Sequence, residues 1–136
     1  MSKLSYHDAL IHIMVTMSAA DRTMSDSELA KIGTIVKSLP VFAEFDSDKM
    51  IDAANDCTRI LQQEDGLDQI IDNALDSLPD HLRETAYALA VDVAAADLQI
   101  EQEELRLLQI FRHKLNIDRL TAAAIERGAR ARHQTI

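Results

Sequence analysis

Ala19-Ala20-Asp21-Arg22-Thr23-Met24-Ser25-Asp26-Ser27-Glu28-Leu29 is answered, 76 residues further on, by Ala95-Ala96-Asp97-Leu98-Gln99-Ile100-Glu101-Gln102-Glu103-Glu104-Leu105. Ala-Ala-Asp recurs intact, and so does the Glu-Leu pair that begins seven positions after each Asp. Working outward from these stretches, Val15 pairs with Val91 and Leu39 with Leu115, while Met24 stands opposite Ile100, Ile32 opposite Leu108 and Ile35 opposite Phe111. Hydrophobic character recurring at one fixed offset is the mark of an internal duplication. It predicts two helix-turn-helix halves, residues 6–41 and 80–117, related by a pseudo-twofold axis inside a single domain of residues 1–136.

The surrounding periodicity is helical. Leu10, Ile13, Met14 and Met17 follow the i, i+3, i+4, i+7 rule and predict a helix from about Tyr6 to Ala20. Ser25 and Glu28 form a Ser-x-x-Glu capping box for a second helix to about Lys37, with Leu29, Ile32, Val36 and Leu39 on its apolar face; Pro40 stops it. Ser47 can cap a third segment burying Met50, Ile51, Ala54, Ile60 and Leu61, and Gly66 interrupts before Leu67, Ile70, Ile71, Ala74 and Leu78 resume. Pro79 suits a first helical turn, opening an alanine-rich helix to about Ala96 whose stripe is Ala86, Leu89, Ala90 and Val93. A helix from about Glu101 should pack Leu105, Leu108, Phe111 and Leu115. Asn116 is its C-terminal cap, and Asp118 starts a last helix carrying Leu120, Ala124 and Ile125. About seven helices and no strand make the fold class all-α.

Composition agrees and narrows function. Three Gly, two Pro and 47% hydrophobic residues suit a helical chain, and 136 residues can remove roughly two-thirds of the unfolded surface from water without a staple. A single cysteine, Cys57, cannot form an intramolecular disulfide or a Cys-cluster metal site. Met1 to Leu10 lacks a signal pattern and nowhere do eighteen apolar residues run together, so a cytoplasmic protein without direct membrane insertion is expected. Net charge is −9, from 23 acids against 14 bases, which argues against nucleic acid and for a cation or a basic partner. Arg127, Arg130, Arg132 and His133 are the basic exception, read as a solvated helix end that complements the dipole.

The acidic corners carry the functional signal. Asp21 and Asp97 end their helices, where the macrodipole repels a carboxylate, and each corner adds acid: Asp26 and Glu28 in the first, Glu101, Glu103 and Glu104 in the second. If the pairs Asp21/Glu28 and Asp97/Glu104 converge, four carboxylates must take up protons, recruit Lys or Arg, or bind a hard cation. Oxygen-only ligands favour Ca²⁺ first, with Mg²⁺ or Mn²⁺ as the other choices. The competing reading is a rigid structural corner, with Glu28 spent on its capping box and Asp21 capping the next helix. The EF-hand is excluded, because counting from Asp21 puts Thr23, Ser25, Asp26 and Ile32 at its ligand and glycine positions.

The Ala-Ala-Asp, apolar, Glu-Leu arrangement of Ala19 to Leu29 and Ala95 to Leu105 resembles the tellurite-resistance TerB family, and the resemblance covers essentially the whole chain. It implies a small, acidic, duplicated all-helical protein with a divalent-cation site, nominating Asp21, Glu28, Asp97 and Glu104. It also implies action beside membrane-bound partners in bacterial chemical-stress operons, and so a protein partner. Members commonly carry Gly directly after the Asp; here Arg22 and Leu98 stand there, which makes a tight left-handed turn costlier.

Other chemistry finds little support. His7, His12, His81, His113 and His133 include no i, i+4 pair, and each reads as a surface or satisfied histidine. Cys57 reads as a quiet, partly buried thiol, and Met14, Met17, Met24 and Met50 as core residues. No phosphate loop or Ser elbow occurs. Glu-x-x-His pairs, which di-metal helical oxidases use, are lacking at Glu28 and Glu104. A non-enzymatic stress protein is therefore expected. The alternative is an ion-independent interaction module, similar to the TerB-like domains of membrane-tethered J-domain cochaperones.

Overall fold

The computed structural model describes residues 5–19, 25–96 and 102–136. Its seven α-helices are α1 (Tyr6–Ser18), α2 (Asp26–Ser38), α3 (Met50–Leu61), α4 (Gly66–Ser77), α5 (Arg83–Ala96), α6 (Gln102–Lys114) and α7 (Arg119–Arg132), and no strand occurs among the described residues. Both ends of α6 fall 76 residues after those of α2, and α5 begins 77 residues after α1, so the helix bounds keep the offset of the sequence echo.

Local chemistry sets these bounds. The Ser25 hydroxyl accepts from the Glu28 N–H at 3.2 Å while the Ser25 N–H donates to Glu28 Oε1 at 3.0 Å, the reciprocal capping box that the spacing predicts. Asn116 adopts φ 58°, and the Ile117 N–H reaches back to the Arg112 carbonyl at 3.0 Å, so α6 ends in a left-handed cap. Asp118 caps α7 by accepting from the Thr121 N–H at 3.1 Å, a bond that holds its carboxyl below the usual range. Ser47 is not a cap. Asp46 accepts from the Asp48 N–H at 3.0 Å, starting a 3₁₀ turn at Ser47–Lys49 that hands over to α3 at Met50. Gly66 lets the α3–α4 hairpin close: a Cβ there would meet the Ile60 carbonyl oxygen and sit 2.8 Å from Leu61 Cα.

α1 is the hub, packed by α2, α3, α4 and α5. Every residue from Ala9 to Ser18 is buried, so the four-residue stripe read from periodicity understates it; a helix surrounded on all sides buries all its faces. Three other expectations fail for a shared reason. Ile51 is 54% exposed, Leu105 48% and Leu120 80%. In each helix the neighbour selects a face rotated away from that side chain: Ala53, Ala54 and Cys57 in α3, Glu104, Leu107, Leu108 and Phe111 in α6, Ala122 and Ala129 in α7. Small residues win those faces on α3 and α7 because they let the helices approach α1 and α5 closely.

Candidate functional site

The period of α2 that buries Ile32 and Val36 also carries Glu28 inward, one turn before Ile32. In α6 the same register carries Glu104 inward ahead of Leu108 and Phe111. The two side chains are 8% and 7% exposed, an unusual state for carboxylates. Both line one cavity of about 360 Å³, closed by Ser18, Lys31, Asp92 and Arg132. Glu104 and Lys31 are each engaged in further interactions. The structure therefore brings Glu28 and Glu104 together. Asp21 and Asp97 lie outside the described residues, as do Glu101 and Met24.

Sequence reasoning missed Asp92. It accepts from Arg132 Nη2 at 2.6 Å and lies 3.7 Å from His133 Nε2, so the end of α7 reaches α5 through these two side chains, although Arg132 itself stays 57% exposed. The signal was available: between Glu84 and Asp97, Asp92 is the one charged residue in an alanine-rich stretch. Its exposed-type side chain, placed on a packing helix, called for a cation from elsewhere in the fold. Arg132 and Lys31 thus join the carboxylates around the cavity.

The cavity presents carboxylate and hydroxyl oxygens, the donors a hard cation takes, together with the Lys31 and Arg132 cations and the His133 imidazole, and no thiolate. Among the described residues, no three His, Cys, Asp or Glu side chains assemble into a group able to hold a metal ion. Elsewhere, Cys57 is wholly buried, donates to the His12 carbonyl at 3.4 Å and is pushed up to about 11 by desolvation, so it stays a protonated thiol. His12 is not a satisfied surface histidine: it is 1% exposed, its Nδ1 has no partner among the described residues, and burial lowers its pKa. His7 Nε2 lies 2.8 Å from the Val41 carbonyl, and its ring stacks on Phe42.

Helices alone, a core centred on α1 and two buried carboxylates on one cavity define a small all-α protein with an acidic interhelical site. The chain matches the family of the Tellurite resistance protein TerB over residues 7–127, and it belongs to that family, which is generally non-enzymatic. No curated protein and no solved structure matches it. Among the described residues, no helix is long and apolar enough to cross a membrane.

Proposed function

We propose that this TerB-family chain is a non-catalytic cytoplasmic protein of tellurite-resistance type that holds a divalent cation between its acidic corners, Ca²⁺ first with Mg²⁺ or Mn²⁺ as alternatives. Asp21, Glu28, Asp97 and Glu104 would be the ligands, and the readout would pass to a membrane-associated protein partner. The observation that supports this is the shared cavity: two buried glutamates at the same register of α2 and α6, each seven residues after one of the two aspartates in the sequence. Burying like charges together is costly without a counter-ion, and Lys31 and Arg132 offset only part of an acidic region that also holds Asp92. Ion binding would change the charge of the corners and so the affinity for a partner.

Thermal unfolding with each ion tests the proposal. A cation at about one hundred times its dissociation constant should stabilise the fold by roughly 2.7 kcal/mol. Asp21→Asn combined with Asp97→Asn should abolish that shift and leave the ion-free protein as stable or more so, since repulsion at two helix C-termini is relieved. If none of Ca²⁺, Mg²⁺ or Mn²⁺ moves the transition while the double variant lowers it, the corners are structural and the ion-independent module is the right reading.

A further inference from the structure

α6 and α7 each pack on α5, and an open groove of about 720 Å³ is left between them. Its floor is a straight stripe of α5, Tyr87, Val91 and Ala95, spaced by four residues. One wall is the face of α6 that the core rejects, with Leu105 half exposed and Leu108 beneath it. The other wall is α7 from Ala123 to Arg130, which at 1.5 Å per residue runs roughly 10 Å, continued by His133 and Gln134 just past the helix end. That shape suits a helix laid into a two-helix groove better than it suits a flat surface.

Charge selects the occupant. Arg112, Arg127 and Arg130 line the trough, against Glu126 as its one carboxylate among the described residues. Glu126 Oε2 is already taken by the Tyr87 hydroxyl, which donates to it at 2.6 Å. Arg112 Nε is buried and finds no acceptor among the described residues. A desolvated guanidinium N–H with no acceptor is costly, and a carboxylate oxygen placed in the trough would satisfy it. The protein is net negative, but beyond a Debye length of roughly 8 Å at physiological salt the distant acids are screened, so the local arginines decide.

We propose that this groove binds an acidic amphipathic helix of a partner protein, with apolar side chains against Val91 and Leu105 and carboxylates facing Arg112, Arg127 and Arg130. This site shares only His133 with the glutamate cavity and does not depend on an ion there. The test is a titration of the full chain, by fluorescence anisotropy and amide NMR, with a labelled fourteen-residue peptide of leucines at i, i+3, i+4 and i+7 and glutamates between. Controls are the same peptide with lysine for glutamate, a scrambled leucine-glutamate peptide, dodecanoate, and anionic phosphatidylglycerol vesicles. The proposal expects saturable binding of the acidic helix only, with shifts at Tyr87, Leu105 and Ala123. Affinity should drop at least tenfold with Arg127→Glu plus Arg130→Glu, and again with Leu105→Glu, all exposed positions that leave the helical signal intact. Lack of saturable binding, equal binding of the lysine or scrambled peptide, affinity indifferent to the charge reversals, or capture by dodecanoate or vesicles alone overturns it.

Discussion

The α1–α2 half and the α5–α6 half share helix bounds and an inward glutamate, yet they are finished differently. Between α2 and α3 the chain spends Leu39–Lys49, with Phe42 buried and Phe45 packed on the core, and Met50 lies 3.6 Å from where a Cβ on Gly33 would be. Between α6 and α7 it spends only Leu115–Asp118, turned by Asn116. The longer connection therefore brings Met50 onto α2 beside Gly33, whereas on α6 Leu105 is exposed where Leu29 of α2 is partly buried. α1 is the interior of the fold, buried from Ala9 to Ser18, whereas α6 keeps an exposed apolar side chain at Leu105.

Substitutions at matched positions probe that asymmetry. Phe111→Ala should cost about 3–5 kcal/mol in chemical denaturation, because Phe111 is 1% exposed. Its counterpart Ile35 is only partly buried, so Ile35→Ala should cost clearly less; equal losses would mean the halves are packed alike.

A pH series probes the hub. α1 carries the buried His12 where α5 carries Ala88. With its folded pKa lowered by burial, the neutral ring stabilises the fold fully above the unfolded value of roughly 6.5. That stability is lost as pH falls through 6.5 toward the lower folded value, because the unfolded chain takes up a proton that the folded one resists. Wild-type stability should fall by up to about 1.4 kcal/mol per pH unit in that window relative to His12→Gln. Parallel pH profiles for the two proteins would show that His12 does not titrate differently on folding.

Smaller effects come from the helix starts and the open face. Ser25→Ala removes the capping box of α2 and should cost about 1 kcal/mol, whereas Glu101→Ala, at the corresponding position before α6, should cost less. Leu105→Ala should change stability by less than about 0.5 kcal/mol, since nearly half of that side chain is in solvent. A loss of about 2 kcal/mol or more, read from the denaturation midpoint, would mean that the groove is closed in solution.

By itself the sequence determined what depends on near neighbours along the chain. Helical periodicity, the Ser25–Glu28 box, the left-handed turn at Asn116 and the Asp118 cap are interactions over a few residues, so spacing alone reveals them. The echo of Ala19–Leu29 in Ala95–Leu105 likewise pointed to the family and to the register of Glu28 and Glu104. Only the tertiary structure decided which face of each helix is inside. Ile51 and Leu120 are more hydrophobic than the alanines buried on α3 and α7, and Leu105 than the buried Glu104 beside it; a neighbouring helix, not the residue's own polarity, removes a surface from water. The same holds for Asp92, whose partners Arg132 and His133 lie some forty residues away and reach it only because α7 packs on α5.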